Sequence, residues 1–321
     1  MSKLKLKKLF IGAASMVFAA ALALSAAACT DNNGNNGDNG NTGNTGDNEE
    51  NSIYSFHDEF HGKAVDDSKW DYQEGDGTEY DNPGWGNNEE QYYRRENARV
   101  ENDCLIITAQ IEDEQTQEEL GKKYTSSKLV TKDIFSQTYG RFEARIRVTE
   151  ALEGIWPAFW LMPEDGVYGG WPRSGEIDIM ELKGRLPGQA SSAAHYKDGG
   201  ANRYHSANYY FQEGTDITDF HVYALDWTPE YLAFSVDGVV YHTFEAEDWT
   251  TTPSTDVPPT ETSPYDQDFF ILLNFAIGGN FDGGRTPADE DMPVEMWVDY
   301  VRVYTLEYLQ EQGEYVPGQQ E

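Results

Sequence analysis

The strongest constraint on the fold is a two-residue rhythm. In Arg141-Phe142-Glu143-Ala144-Arg145-Ile146-Arg147-Val148, polar and apolar residues alternate without a break, so in an extended chain one face is buried and the other is wet. From Phe220 to Phe244, two aromatic and β-branched runs flank Asp237-Gly238, a pair that favours a type I′ hairpin because both residues tolerate positive φ. Lys128 to Lys132, Phe269 to Phe275 and Trp297 to Tyr304 read as further strands, and long helical patterns are scarce. So many half-buried strands need a facing sheet. The fold class expected is all-β, with two packed antiparallel sheets.

Composition bounds the folded part. Residues 30–52 are almost entirely Asn, Gly, Asp and Thr and bury too little apolar surface to offset chain entropy, which predicts a flexible tether. Residues 308–321 form a polar tail in which little fixed structure is expected. The stretch 53–307 between them has no second low-complexity break and no internal repeat, and reads as one domain. At the start, Lys3, Lys5, Lys7 and Lys8 precede an apolar run from Leu9 to Leu24. This is the layout of a secretory signal, and the run falls short of the roughly 20 apolar residues of a membrane span. Residues 1–28 are expected to be removed.

Cys29 follows Leu24-Ser25-Ala26-Ala27-Ala28, which resembles the lipobox of bacterial lipoproteins and makes Cys29 a candidate for acylation. Ala26-Ala27-Ala28 also suits an ordinary signal peptidase. The expectation is an exported protein on the bacterial cell surface, touching the membrane only through an N-terminal lipid, with full secretion as the alternative. With Cys29 so assigned, no disulfide to Cys104 is expected to hold the domain.

Charge excludes other classes. The chain has 23 Lys and Arg against 57 Asp and Glu, a net −34; loss of residues 1–28 takes four lysines and no acids, leaving 19 − 57 = −38. Nucleic-acid binding depends on cations displacing counterions, so no nucleic acid is expected as a partner, and a neutral polymer suits the chain better than a sulphated one. The six histidines are scattered, without His-Glu-x-x-His or paired cysteines, and neither a G-x-S-x-G elbow nor a phosphate loop occurs. No metal or other cofactor is expected in catalysis.

The chemistry concentrates in Gly175-Glu176-Ile177-Asp178-Ile179-Met180-Glu181-Leu182. In a plain strand Glu176 and Asp178 share a face and Glu181 points to the other. One extra residue in a bulge near Ile179 or Met180 would bring Glu181 back to the face of the other two. Crowded carboxylates separate their pKa values. A retaining glycosidase needs that separation, one carboxylate ionised to attack and one acid protonated to donate. A cation site is the competing reading of the same row. A solvated face fits poorly beside Ile177, Ile179, Met180 and Leu182. Trp156, Trp160 and Trp171 cluster around the acids in sequence, and Trp85 lies in the loop Asn82 to Glu89; indoles offer flat apolar platforms for pyranose rings.

The acid segment resembles the signature of glycoside hydrolase family 16. Its spacing, with two residues between Asp178 and Glu181, is similar to the laminarinase-type branch; lichenases of the family have one residue fewer there. The resemblance extends over most of residues 54–305, through Asp58-Glu59-Phe60, Asn88 to Tyr93, Tyr124 to Lys128, Tyr139 to Glu143, Trp156 to Trp160, Asn274 to Gly279 and Val298 to Tyr304. It implies a β-jelly-roll sandwich with a concave cleft, and a monomer that hydrolyses β-1,3-glucan internally with retention. It also implies Glu176 as nucleophile, Glu181 as general acid/base and Asp178 as the carboxylate that tunes the nucleophile. By the same resemblance Asn87, Trp156, Trp160, Trp171, Arg173 and His195 are candidates for glucan contacts. A structural Ca²⁺ on the convex side is implied too, with Asp299 and Glu59 as candidate ligands; a hydrogen-bonded buried Asp299 is the alternative. Mixed-linkage β-1,3-1,4-glucan, agar, carrageenan or xyloglucan as substrate, and a non-catalytic glucan-binding protein, are the competing readings.

Overall fold

The computed structural model describes residues 53–313 and Tyr315; the expected signal segment, Cys29 and the tether lie outside the described residues. The strands begin with β1 (Tyr54–Asp58), β2 (Asp71–Tyr72), β3 (Gln91–Tyr93), β4 (Ala98–Glu101), β5 (Cys104–Ile111) and β6 (Tyr124–Ser126). Next come β7 (Lys128–Val130), β8 (Ser136–Gln137), β9 (Gly140–Val148), β10 (Ile155–Pro163), β11 (Glu176–Glu181) and β12 (Gln189–Asp198). The last six are β13 (Ala201–Tyr210), β14 (His221–Trp227), β15 (Tyr231–Val236), β16 (Val239–Glu245), β17 (Phe269–Ile277) and β18 (Val294–Tyr304).

They form two sheets. One runs β16-β15-β14-β9-β18-β5-β6-β3, with β1 on β18 and β4 on β5; the other runs β13-β12-β11-β10-β17-β7-β2, with β8 on β17. Pairing is antiparallel apart from β3 with β6. The alternation in β9 works as the sequence implies: Phe142, Ala144, Ile146 and Val148 are fully buried between the sheets, while Arg141, Glu143, Arg145 and Arg147 line the outer face. Ile155, Phe159 and Leu161 of β10, with Ile177 and Met180 of β11, meet them from the second sheet in one continuous core. β17 lacks alternation because both of its faces are covered. Ile271, Leu273 and Phe275 enter the main core, whereas Phe270 and Leu272 pack with Val130, Trp160 and Met162. Asp237 and Gly238 close the β15–β16 hairpin at φ 51° and 75°, the left-handed pair that a type I′ turn requires.

Two expectations change. A helix, Leu306–Glu311, runs into the expected tail, capped by Thr305 Oγ1, which accepts from Tyr308 N at 3.2 Å. Leu309 and Tyr315 are buried, so two apolar side chains in a polar stretch suffice to pin it. Cys104 is buried and disulfide-bonded, contrary to the expectation of a domain held without one.

Candidate active site

Register decides which carboxylates meet. Against β10, Glu181 pairs with Ala158 and Met180 with Phe159, but Asp178 follows directly on Trp160, so Ile179 is the extra residue. Against β12 the same slip appears, Asp178 opposite Ala193 and Glu181 opposite Ser191. Ile179 and Met180 both enter the core, and after two successive inward residues Glu181 emerges on the face of Glu176 and Asp178. The bulge forms because burying two large apolar side chains outweighs the lost ladder bonds, and it gathers three acids over an apolar floor.

The side chains around the row are held by indole and imidazole donors. Trp171 Nε1 donates to Glu176 Oε2 at 2.6 Å and Trp156 Nε1 donates to Glu181 Oε1 at 3.0 Å. His195, opposite Glu176 on β12, places Nε2 3.1 Å from Asp178 Oδ2 and 3.7 Å from Glu176 Oε1. Its carbonyl accepts from Tyr265 Oη at 2.8 Å. Trp160 Nε1 donates to Asn274 Oδ1 at 2.7 Å. Asn87 lies beside the Trp156 end, where Gly279, at φ 78°, allows close approach: a Cβ there would sit 3.1 Å from the Trp156 ring and 3.3 Å from the Asn87 carbonyl. Arg173 stands apart, in the turn after Gly170, with its carbonyl accepting from Thr251 Oγ1 at 2.6 Å.

Burial and mutual repulsion set the protonation pattern. Burial first, then the charges of Asp178 and Glu176, hold the Glu181 carboxyl well above the usual carboxylate range. Glu176 is raised as well, by burial and by Asp178, but its anion is offset by His195, by the Trp171 N–H and by Lys128. Of the two glutamates, Glu176 is therefore the better anion and Glu181 the better proton donor. Burial alone would lower the His195 imidazole, yet the hydrogen bond and charge of Asp178, with both glutamates, carry it up to about 9. That shift favours the imidazolium beside the row.

A second layer lies under the cleft, around a lysine in a strand otherwise made of Leu129 and Val130. Lys128 is 6% exposed, with Nζ 4.1 Å from the Trp85 ring centroid and 5.0 Å from that of Trp160. Burial lowers it to about 8, against the attraction of Glu89 and Glu176. Buried Glu89 accepts from Gln91 Nε2 at 2.7 Å and from Tyr93 Oη at 3.2 Å, and Tyr93 Oη accepts from Asn274 Nδ2 at 2.9 Å. This network fixes Asn274 and hence Trp160. Trp85 is buried beneath Lys128 and is not an open platform.

The expected Ca²⁺ ligands do not fit a cation site. Asp299 is the residue skipped at a bulge in β18, between Val298 and Tyr300, so it leaves the apolar face on which plain alternation would put it. Its Oδ2 accepts from Arg145 Nη1 at 2.5 Å. Glu59 accepts from Arg302 Nε and Nη2 at 2.9 and 2.8 Å; with help from His57 and Arg302, and against burial, it falls to about 2. Each carboxylate is engaged by a different guanidinium.

Comparison with known proteins agrees with this geometry. Residues 86–263 match the model of Glycosyl hydrolases family 16. The chain belongs to that family. Over 259 residues it is 40% identical to glucan endo-1,3-beta-glucosidase A1 of Niallia circulans, covering 78% of this chain and 37% of that protein. It is 40% identical over 262 residues to the beta-glucanase of Rhodothermus marinus, covering 77% of this chain and 83% of that protein. The X-ray structure of endo-beta-1,3-glucanase from Pyrococcus furiosus superposes with a TM-score of 0.67 at 34% identity, over 78% of this chain and 94% of that one. The two-sheet architecture of the family 16 chain is thus matched across most of the described residues.

Proposed function

We propose that the protein is a retaining endo-β-1,3-glucanase acting on laminarin-like glucans as a monomer, with Glu176 as nucleophile and Glu181 as general acid/base. The observation that carries this reading is the bulge at Ile179, which sets both glutamates on one face with unequal stabilisation of their anions. In the first step Glu176 attacks the anomeric carbon while Glu181 gives its proton to the departing glycosidic oxygen. A glycosyl ester on Glu176 results, and the cleaved glucan leaves as an alcohol. In the second step Glu181, now a carboxylate, takes a proton from water as that water attacks the anomeric carbon and frees Glu176. Asp178 and the His195 imidazolium hold Glu176 in place and balance the charge of the row. No cofactor takes part.

A reducing-sugar assay over laminarin, mixed-linkage β-1,3-1,4-glucan, xyloglucan, agarose and carrageenan tests the substrate, and NMR of the first products tests the stereochemistry. The expected result is preference for laminarin with release of the β-anomer. First release of the α-anomer would exclude double displacement, and activity confined to a galactan would exclude the glucanase reading.

His195 gives a separate test. Replacing it with Gln removes the cation that favours ionised Glu176, so Glu176 ionises at higher pH, and the acidic limb of kcat/KM should move up by about one pH unit. A limb that stays in place would show that the imidazolium does not support the anion.

The same proposal includes export through residues 1–28 and surface tethering through Cys29, the 29–52 stretch acting as spacer. Mass spectrometry of the mature N-terminus decides between a lipid-bearing Cys29 and an unlipidated one.

A further inference from the structure

The cleft does not stop at the acid strand. Cross-strand register continues each row of the acid face over β12 and onto β13: Glu176 is opposite His195, and His195 opposite Tyr204; Asp178 is opposite Ala193, and Ala193 opposite Ser206; Glu181 is opposite Ser191, and Ser191 opposite Asn208. Side chains of directly opposed residues share a face, so Tyr204, Ser206 and Asn208 extend the surface that carries the three acids. The middle row is floored by small residues, while the flanking rows carry His195 with Tyr204 and Ser191 with Asn208. That is a shallow trough, leading from the acids across two strand spacings, about 10 Å, to β13, the outermost strand of its sheet.

Tyr204 stands out in this trough. It is 65% exposed, although a tyrosine carries a large apolar ring. The opposite face of β13 supplies the packing: His205 stacks on Phe244 at 4.0 Å and Tyr209 lies 5.5 Å from Tyr241. Among the described rings Tyr204 meets that of His195 alone, 5.6 Å away and tilted, and His195 in turn lies 6.0 Å from Trp171. The three rings make an aromatic track from the Trp171 that holds Glu176 to the sheet edge. An exposed ring that the core does not use, lying along a groove continuous with the acids, suits the apolar face of a sugar.

We infer that Tyr204 forms an outlying sugar-binding position for the polymer, beyond the unit that contacts His195, and so makes the enzyme favour long chains. This rests on the glucanase reading. Asn208, whose Oδ1 accepts from Ser191 Oγ at 2.9 Å, lines the opposite wall of the same trough and keeps amide protons for sugar hydroxyls. The open edge lets a chain run past the last contact, as internal cleavage requires.

The test is a length series of β-1,3-oligosaccharides and laminarin with Tyr204→Ala and Tyr204→Phe. Tyr204→Ala should lower kcat/KM on the hexasaccharide and the polymer by about fivefold to tenfold through KM, leave kcat and the shortest cleaved oligosaccharide unchanged, and shift the bonds cut in the hexasaccharide. Tyr204→Phe keeps the ring and should stay near wild type. Equal losses at every length, with a lowered Tm, would indicate a structural role and overturn the proposal; so would values and cleavage patterns within about twofold of wild type on the hexasaccharide. Wild-type inactivity on the whole series would instead sink the glucanase reading, and the outlying position with it.

Discussion

Glu176→Ala is expected to lower laminarin hydrolysis by about four orders of magnitude or more, because in the proposed double displacement this carboxylate forms the glycosyl ester. The fold should survive. Glu176 titrates above its ordinary range in the folded state, where burial and Asp178 disfavour its anion, and is pushed up to about 8. Between the ordinary carboxylate pKa and that value the native protein binds more protons than the unfolded chain, so this residue makes stability fall as pH rises. Its removal should leave Tm equal to or above wild type, and the difference should be larger near pH 8 than near pH 5. Azide should restore turnover of a glucoside with an activated leaving group by entering from the vacated side, and the product should be the α-glycosyl azide. Residual laminarin activity above a few per cent, or a β-azide, would remove Glu176 from the nucleophile role.

Glu181→Ala should cut laminarin turnover by about 10²- to 10⁴-fold, the usual range for loss of a positioned acid. The loss should nearly vanish in the first step with a dinitrophenyl leaving group, which departs without protonation, so the glycosyl enzyme should form quickly and accumulate. Azide then attacks that intermediate and yields the β-glycosyl azide, opposite to the Glu176 variant. The alkaline limb of the pH profile, set by the raised Glu181 carboxyl, should disappear. If leaving-group quality made no difference, Glu181 would not be the proton donor. The free Trp156 N–H left behind, otherwise bonded to Glu181 at 3.0 Å, predicts only a small stability change at this partly exposed position.

Local pattern made the sheets legible. The β9 alternation, the Asp237-Gly238 turn and the apolar run of β17 each report their own surroundings within a few residues, because side-chain direction in a strand follows from period two. The acid segment was legible for a related reason. Three carboxylates among Ile177, Ile179, Met180 and Leu182 cannot all face the core, so a bulge near Ile179 or Met180 was the economical solution, and Ile179 is the extra residue. The limits appear where partners are distant in sequence. Period two put Asp299 on an apolar face, but a bulge in β18 turns it toward Arg145. Trp85 looked like an exposed platform in a Gly/Asn-rich loop, yet Lys128, from a strand well downstream, covers it.

The sequence by itself determined the all-β class, the acidic character, and the identity of the residues in the acid row, since each depends on composition or on neighbours along one strand. The tertiary structure decided what surrounds that row. His195 faces Asp178 and Glu176 only because β12 pairs with β11 in one register; Lys128 lies beneath the cleft only because β7 joins β17, and Glu89 only because its backbone bridges to Gly278 at the end of β17. The difference between Glu176 and Glu181 as anion and acid comes from those contacts. Two glutamates are chemically identical in the chain, and only burial, imidazole, indole and ammonium supplied from other strands make them unequal.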